Sequence, residues 1–295
     1  MAPSEGQPKN WPLRQLLSKD FPSLLREIPD KPKLLYIRGV LPPPNTVYLC
    51  VVGSRACSTY GRRMTQKLIA GLASSPIAIV SGMALGIDSE AHKAAIDIGL
   101  STVAVLPSSL DDESIYPSTN RGLAQKILAH GGALISEDKG PHKAMIHDFP
   151  KRNRISAGIS KAALIIEAGE KSGTLITARL ALDYNREVLA IPHELDRESG
   201  AGINRLIREG ATLVRNSDDI REALGLAPQT LGEQAPLPLD LTDIEMRLLH
   251  AMTEPMVRDE IIEASELSVQ EANVALSSLL IRGLITERLG KIERV

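Results

Sequence analysis

Long apolar runs, cysteines and aromatic rings are all scarce in this chain of 295 residues. No apolar run approaches the roughly 20 residues that a membrane-spanning helix needs, and the start of the chain lacks the apolar centre of a signal peptide. We therefore expect a cytoplasmic protein that does not contact membranes. Cys50 and Cys57 are the only cysteines, one in a predicted strand and the other in the loop after it, which favours reduced thiols over a disulfide framework.

Motifs for metals and common cofactors are also missing. The six histidines form neither a His-Glu-x-x-His pattern nor a Cys/His pair at ligand spacing, so no metal is expected. His92, on a predicted helix, is interpreted as a packed residue rather than a catalytic one. The turns after the first two predicted strands lack the G-x-G-x-x-G fingerprint, and there is no G-x-x-x-x-G-K-[ST] loop. The sequence thus predicts no cofactor.

Short apolar segments alternate with helical periodicity through the middle of the chain. Strands that are apolar throughout and separated by helices are typical of a parallel sheet covered on both faces. The sequence therefore predicts an α/β fold with an extended Rossmann-like parallel sheet, whose ligands would sit at the carboxyl ends of the strands. The predicted strands are residues 47–52, 77–80, 102–106, 133–135, 162–166, 187–191 and 212–214.

Changes in composition divide the chain into four regions. Residues 1–46 are rich in proline, which fixes φ and removes a donor, so they are predicted to form an extended arm with at most short helices and no independent fold. Residues 47–224 form the predicted Rossmann-like domain, and residues 225–240 lose periodicity and are interpreted as a linker. Residues 241–295, with small helices and two short terminal strands, are predicted to be a winged-helix domain.

The charge of the predicted winged helix argues against DNA reading. Residues 236–295 carry 6 of the 34 Lys and Arg residues and 11 of the 36 Asp and Glu residues. A recognition helix laid against DNA should neutralise phosphates, yet residues 271–281 contain no lysine or arginine. We interpret this module as protein-contacting or vestigial. DNA reading through Arg282 and Arg288 is the alternative.

Positive charge is densest between Lys143 and Lys161. Five cationic side chains stand there against Asp148 alone, in a chain whose net charge is -2. Such a local surplus is typical of a phosphate site. The run also holds Phe149, one of only two phenylalanines, and a ring beside guanidinium groups suits a stacked base. The alternative is a solvated basic loop that caps a strand.

Three predicted strand-end turns carry small and hydroxyl-bearing residues. Gly53-Ser54-Arg55 follows the first strand, with Ser58 after it, Ser81-Gly82 follows the second, and Ser172-Gly173-Thr174 opens a helix after the fifth. Small residues let the backbone approach a ligand, while hydroxyls and helix N-terminal amides donate hydrogen bonds to phosphates. Turns without any ligand are the alternative, but three of them together with a basic run favour a binding site.

An ordered series of motifs extends along residues 21–223. They are Gly53-Ser54-Arg55 with Ser58 and Tyr60-Gly61, Ser81-Gly82 with Ala84, Gly86-Ile87-Asp88 and Ala91-His92, Tyr116-Pro117, Phe149-Pro150 with Arg152-Asn153-Arg154-Ile155, Ser172-Gly173-Thr174 with Thr177-Ala178, and Gly202, Asn204 and Leu206-Ile207 with Gly210-Ala211. Together they closely resemble the motifs of the DprA/Smf family, the DNA-processing protein A group. The tail is similar to that family's C-terminal winged-helix domain.

The resemblance implies a bacterial cytoplasmic protein that binds single-stranded DNA without strong sequence preference. It further implies a homodimer formed through the Rossmann-like domain, help in loading a RecA-type recombinase during natural transformation and DNA recombination, and no catalysis. The DNA-binding residues that it implies are Ser54, Arg55, Ser58, Ser81, Gly82, Phe149, Lys151, Arg152, Asn153, Arg154, Ser172, Gly173 and Thr174. Asp148 departs from the family pattern and places an anion near the expected phosphate path.

A nucleotide-binding enzyme is the alternative function. The turn from Glu167 to Thr174 also resembles the P-G-G-x-G-T-x-x-E turn of nucleoside-monophosphate phosphoribohydrolases, whose glutamate is the catalytic carboxylate. Thr177 occupies the place of that glutamate here. Because threonine cannot supply the negative charge that stabilises an oxocarbenium-like centre, we favour the DNA-binding interpretation.

Overall fold

The computed structural model describes residues 11–227, 241–252, 254–282, 284–288 and 290–294. The chain divides between residues 228 and 229 into two compact units. Most of the predicted linker (225–240) and the first ten residues of the predicted arm lie outside the described residues. Within the described ranges, no helix is both long and apolar enough to cross a membrane.

The first unit is built on one nine-stranded sheet, which contains all seven predicted strands and confirms the predicted α/β fold. The strand order is β1-β2-β6-β5-β4-β3-β7-β8-β9. Neighbours from β6 to β9 in this order run parallel, whereas β1/β2 and β2/β6 are antiparallel. The strands are β1 (Arg14–Leu17), β2 (Leu34–Gly39), β3 (Val47–Val52), β4 (Ile77–Ser81), β5 (Ser101–Val105), β6 (Ala133–Ser136), β7 (Ala162–Ile165), β8 (Glu187–Ala190) and β9 (Thr212–Leu213).

Within residues 11–227, eight α-helices accompany the sheet, and both of its faces are buried. Along β3, Tyr48, Cys50 and Val52 enter one apolar cluster, while Leu49 and Val51 enter another. Successive strand side chains point to opposite faces, so burial on both sides explains the unbroken apolar segments in the sequence. The helices are α1 (Ser23–Glu27), α2 (Thr59–Ala70), α3 (Ile87–Asp97), α4 (Arg121–Ala129), α5 (Asp148–Ile159), α6 (Thr174–Asp183), α7 (Glu198–Arg208) and α8 (Ser217–Ala223).

The order of the sheet reverses beside β3. The chain proceeds from β3 through β4 and β5 to β6 on one side, and β7 then returns to pair with the other edge of β3. The loops after neighbouring strands diverge at such a reversal, which leaves a crevice at the carboxyl ends of β3, β4 and β7. This topology determines where a ligand can enter.

The predicted arm belongs to the sheet. Its strands β1 and β2 pair with each other, and β2 pairs with β6, although the sequence analysis predicted no strand before residue 47. Prolines on both sides of these segments argued against strands. They do not prevent strand pairing here, because β1 is an edge strand and residues 34–39 contain no proline. Helix α1 packs against α5, and its Leu25 is fully buried. The described part of the arm therefore shares the core of the first unit.

The second unit consists of three helices followed by an antiparallel ribbon. The elements are α9 (Asp243–Ala251), α10 (Arg258–Ser265), α11 (Val269–Ile281), β10 (Ile285–Arg288) and β11 (Lys291–Arg294). Leu248, Leu276 and Ile292 are fully or almost fully buried in its small core. Helices followed by a ribbon are what the winged-helix prediction requires, and that classification stays a prediction.

Glu245 joins the start of α9 to α11. Its Oε2 accepts hydrogen bonds from the N–H and hydroxyl of Thr242, at 2.8 and 3.0 Å. Its Oε1 accepts one from Ser278 Oγ at 2.7 Å and lies 3.2 Å from Arg282 Nη1. The Ser278 hydroxyl, followed by the Thr242 amide, lowers the pKa of Glu245 from 4.5 to about 2. The folded state therefore favours the charged form of this carboxyl group.

Replacing Glu245 with glutamine should destabilise α9 to α11 by about 2 kcal/mol at neutral pH, because hydrogen bonds to a charged acceptor are lost. The folded pKa lies below the unfolded one, so this contribution is complete above about pH 4.5 and disappears as the pH falls towards 2. Hydrogen exchange of these helices in the full chain measures the effect, with exposed Glu263→Gln as the control. Equal exchange in the two variants at neutral pH would contradict this role of Glu245.

Candidate functional site

A cavity of about 430 Å³ opens at the carboxyl edge of the sheet, where the strand order reverses. Its wall is formed by residues that follow β3, β4 and β7 and by the start of α5. Of the thirteen predicted binding residues, the cavity brings together Ser54, Arg55, Phe149, Arg152, Asn153, Ser172, Gly173 and Thr174. The other five, Ser58, Ser81, Gly82, Lys151 and Arg154, do not line it.

Helix geometry decides which residues of the basic run reach the cavity. The run forms the first turns of α5, and consecutive residues on a helix point about 100° apart. Phe149, Arg152 and Asn153 are spaced three and four residues apart, so they share the face that lines the cavity. Lys151 and Arg154 lie on another face, beside a second cavity of about 250 Å³ that Arg152 also lines.

Arg152 is buried in the wall between these two cavities, with 6% of its surface exposed. Its guanidinium occupies the space beside Gly82, where an added Cβ would lie only 1.3 Å from Arg152 Nη1. Gly82 therefore makes room for the guanidinium. Burial lowers the pKa of Arg152, and the negative charge of Asp88 opposes this effect. Arginine stays protonated in proteins, so Arg152 is a buried cation. Its Nε has no hydrogen-bond partner among the described residues.

Asp88, in the first turn of α3, is a buried anion that lines the same cavity. Its Oδ2 accepts hydrogen bonds from the N–H groups of Gly82 at 3.1 Å and Ala84 at 3.4 Å. Burial raises the pKa of Asp88, while the charge of Arg152 and the two amides act in the opposite direction. Asp88 thus balances part of the Arg152 charge within the protein.

His92 lies behind this pair and is packed, as predicted. It is completely buried, and its Nδ1 lies 2.7 Å from Thr102 Oγ1. Burial, followed by the charge of Arg152, lowers the pKa of His92 to about 3. The imidazole is therefore neutral at physiological pH and adds no positive charge to the cavity.

Arg55 and Phe149 form a stacked pair at the rim. The guanidinium carbon of Arg55 lies 4.7 Å from the centre of the Phe149 ring, and the arginine is exposed. Tyr116 meets the same ring edge-on, with centroids 5.8 Å apart. Loops after β3 and β5 and the start of α5 thus combine an exposed cation with two aromatic rings.

Ser172, Gly173 and Thr174 form the N-terminal end of α6 on the opposite wall. Ser172 Oγ accepts a hydrogen bond from the Thr174 N–H at 3.2 Å. No atom lies within 4 Å of the position where a side chain on Gly173 would begin, so the backbone there is open to approach. Amides at a helix start are suited to an anion, which agrees with the positions predicted for these residues.

Two of the predicted hydroxyl ligands make hydrogen bonds within the protein, and their part in DNA binding stays a prediction. Ser81 is fully buried, and its Oγ donates to the carbonyl of Val51 at 2.6 Å. Ser58 Oγ caps α2 by accepting from the Gly61 N–H and also donates to Glu167 Oε2 at 3.2 Å. Both serines hold strand-end turns together. The sequence pattern could not distinguish this role from ligand binding.

Arg154 is paired within the protein, and its predicted part in DNA binding stays a prediction. Its Nη2 lies 2.5 Å from Glu137 Oε1, and its Nη1 donates to the carbonyl of Asp30 in the arm. The Tyr184 hydroxyl also bonds to this part of the arm, through Asp30 Oδ1 at 2.6 Å. Lys151 remains 67% exposed and lies 4.0 Å from Asp148. Lys151 is therefore accessible at the surface, whereas Arg154 fixes α5 against the arm.

Asp148 does not project towards the cavity as a free anion. It is buried, and its Oδ2 accepts hydrogen bonds from His142 Nε2 at 2.8 Å and the Met145 N–H at 2.9 Å. Burial favours its neutral form, but the Met145 amide and then His142 outweigh this and lower the pKa of Asp148. Asp148, the residue that departs from the family pattern, thus holds the loop before α5 in place and does not oppose a ligand in the cavity.

Several residues of the cavity wall were not among the predicted binding residues. Ile146, which is 90% exposed, Ile176, Ala84 and Asp88 all line the cavity. Asp88 was visible in the Gly86-Ile87-Asp88 motif, but its position beside Arg152 depends on the meeting of two distant segments. Isolated isoleucines carry no comparable sequence signal, because most are found in cores.

Thr177, the position that the enzyme alternative depends on, is buried in the cavity wall. Its hydroxyl provides no negative charge. Glu167 is fully buried next to the start of α2, where its Oε2 accepts from the Ser58 N–H at 2.9 Å. Glu167 Oε1 is buried without a hydrogen-bond partner among the described residues, but Glu167 does not line the cavity.

Comparison with known proteins identifies relatives of the first unit. The profile of the family described as DNA recombination-mediator protein A matches residues 13–225. Protein Smf of Escherichia coli is 40% identical over 207 residues, which are 70% of this chain and 55% of that protein. DNA processing protein DprA of Streptococcus pneumoniae is 38% identical over 72% of this chain and 74% of that protein. The match thus spans little more than half of the E. coli relative.

Solved structures show the same fold. The crystal structure of DNA processing protein A from Streptococcus pneumoniae has a TM-score of 0.67 and 36% identity, covering 72% of this chain and 74% of that one. DNA processing protein A from Helicobacter pylori, described for its single-stranded DNA binding mode, has a TM-score of 0.64 and 30% identity, covering 72% and 96%. Both similarities support a Rossmann-like first unit.

Replacing Arg154 with glutamine should lower the free energy of unfolding by about 1 to 3 kcal/mol, because Glu137 and the Asp30 carbonyl lose a charged donor. Lys151→Gln removes the same charge from an exposed position on the same helix and should change stability by less than about 0.5 kcal/mol. Denaturant unfolding of the full chain compares the two. Equal losses would contradict the structural role assigned to Arg154.

Proposed function

Since this chain belongs to the DNA recombination-mediator protein A family, we propose that it binds single-stranded DNA without strong sequence preference. The H. pylori relative, whose structure was described for its single-stranded DNA binding mode, supports this ligand. The site is the cavity at the carboxyl edge of the sheet, with Arg55, Phe149, Arg152, Asn153 and the start of α6 as its walls. Lys151 contributes from the adjoining surface.

The buried guanidinium of Arg152 is the observation that supports this function most strongly. A buried charge is costly unless it is paired and hydrogen-bonded, and Arg152 Nε lacks a partner within the described residues. A phosphate entering the cavity would place a negative charge next to the Arg152 side chain that lines it, assisted by the amides at the start of α6. Arg55 at the rim is placed to neutralise a neighbouring phosphate.

The depth of this cation favours a single strand over a duplex. Arg152 is 6% exposed in the wall of the cavity, so a flexible strand can extend a phosphate towards it, whereas a rigid duplex is held at the rim. Phe149 adds a ring face, which any unpaired base can contact. Phosphates and ring faces are common to all sequences, and the proposed lack of sequence preference follows.

Arg152→Ala should weaken binding of a single-stranded oligonucleotide by about 10- to 100-fold, because a charge-assisted contact is lost. Arg55→Ala should also weaken binding, and each variant should reduce the slope of log affinity against log salt by about 0.7 per phosphate contact. Fluorescence anisotropy at several salt concentrations measures both effects. Lys126→Ala, an exposed cation in the last turn of α4 at the other end of the strands, is the control.

The Arg55 variant separates a loss of DNA contacts from a loss of folding. Arg152→Ala leaves Asp88 buried beside a vacant space, so its thermal unfolding must be checked, whereas Arg55 is exposed and its loss should not affect folding. If both variants bind as the parent does, the proposed site is wrong. Tighter binding of double-stranded than single-stranded oligonucleotide would contradict the proposed ligand.

We further propose a cytoplasmic homodimer that helps to load a RecA-type recombinase onto the bound strand. The second unit would serve as a protein contact, since its α11 presents exposed Val274 and Ile281 and no lysine or arginine. The nearby cation Arg258 donates to Asn273 Oδ1 at 3.1 Å, which leaves it poorly placed for a phosphate. This charge distribution disfavours the alternative in which the second unit reads DNA.

Val274→Glu combined with Ile281→Glu should reduce recombinase binding while leaving single-strand affinity and dimer sedimentation unchanged. Both side chains are more than half exposed, so the substitutions should not disturb the core. Co-precipitation of recombinase with the full chain and filament assembly on single strands measure the effect, with Gln270→Glu, on the same helix, as the charge control. Unchanged recombinase binding would place the contact elsewhere in the chain.

A further inference from the structure

Tyr116 is an exposed aromatic ring beside the cavity. Its exposed fraction is 46%, whereas Tyr48 and Tyr184 are buried and the Tyr60 hydroxyl donates to the Pro192 carbonyl at 3.0 Å. Among the large exposed apolar side chains of the described residues, Tyr116 is the only aromatic one. In a chain with 3% aromatic residues, such a ring next to a binding cavity calls for a physical explanation.

The loop that carries Tyr116 is held firmly. The adjacent Ile115 is 2% exposed and anchors the loop in an apolar cluster. Asp111 Oδ1 accepts from the Ser114 N–H at 3.0 Å, and its Oδ2 accepts from Ser109 Oγ at 2.7 Å. A ring fixed in this way loses little conformational entropy when a ligand packs on it.

The ring extends the aromatic surface beyond the cavity. Tyr116 meets Phe149 edge-on, at 5.8 Å between centroids and 71° between planes, while Arg55 covers a face of Phe149 at 4.7 Å. Since Arg55 already occupies one Phe149 face, that ring has limited area left for bases. Tyr116, which does not line the cavity itself, offers a second and differently oriented plane.

The charge around Tyr116 indicates which part of a strand contacts it. Residues 111–113 of the same loop are all acidic, and Asp112 is 58% exposed despite its ion pair with Arg38. Such a loop repels phosphates. A nucleotide at Tyr116 must therefore present its base, while its backbone stays near Arg55 and Lys151.

We propose that Tyr116 forms a second base-stacking subsite, which takes the exposed face of an unpaired nucleobase next to the nucleotide held at Phe149 and Arg152. This inference rests on the proposed single-strand binding and deepens it. Two aromatic planes at an angle cannot stack on paired, parallel bases. The subsite therefore selects an unpaired strand of more than one nucleotide over a mononucleotide or a duplex.

Binding of fluorescent oligothymidylate and of an abasic oligomer with the same phosphate backbone tests the subsite. Tyr116→Ala should weaken oligothymidylate binding by about five- to 100-fold without changing the salt slope, because a stacking contact and no phosphate contact is lost. Tyr116→Phe keeps the ring and should bind as the parent does. Tyr116→Leu keeps apolar bulk without the ring and should resemble the alanine variant.

The abasic oligomer separates this inference from the function on which it rests. Tyr116→Ala should bind it as the parent does, whereas Arg55→Ala should bind both oligomers more weakly. Undiminished oligothymidylate binding by Tyr116→Ala, or an equal loss on the abasic oligomer, overturns the subsite alone. A parent protein that binds neither oligomer overturns the proposed function and the subsite together.

Discussion

A guanidinium buried beside a carboxylate at the carboxyl edge of the sheet is the constraint on which the first unit depends. Arg152 can occupy that place only because Gly82 has no side chain, and Asp88 opposes its charge while remaining fixed by the amides of the same turn. Asp88 offsets the charge of Arg152 but does not provide an acceptor for every donor of its guanidinium. Arg152 Nε has no hydrogen-bond partner within the described structure. The cavity wall thus contains a buried cation that an incoming anion can approach.

Holding α5 in place is the second requirement, since this helix carries Arg152, Asn153 and Phe149. The arm supplies much of the support, because the Asp30 carbonyl accepts from Arg154 and the Tyr184 hydroxyl donates to the Asp30 carboxylate. Arg186 adds a hydrogen bond to the Leu24 carbonyl at 2.9 Å. A proline-rich segment without a fold of its own therefore fixes the helix on which the site depends, and the arm strands join the same sheet.

The strands and the strand-end turns were predictable, because burial on both faces leaves unbroken apolar segments and parallel strands bring their carboxyl ends to one edge. The first two strands escaped notice, since proline-rich surroundings are a poor guide to an edge pairing. Charge density identified the basic run from Phe149 to Arg154 but could show neither that it is helical nor that Arg154 pairs with Glu137. Helical spacing of three and four residues from Phe149 puts Arg152 on the cavity face and leaves Lys151 and Arg154 on another face. This rule could be applied only once the run was known to be helical.

The proposed binding uses two kinds of contact. Cations at Arg152, Arg55 and Lys151 would contact phosphates, and their effect would fall as salt rises. Rings at Phe149 and Tyr116 would contact bases, through interactions that salt screens little and that require an unpaired base. In the proposed mode of binding, the rings add to the selection for single strands that the depth of Arg152 provides, because a duplex has as many phosphates but no unpaired bases. A chain with so few aromatic residues then depends on rings that stand beside the charged cavity.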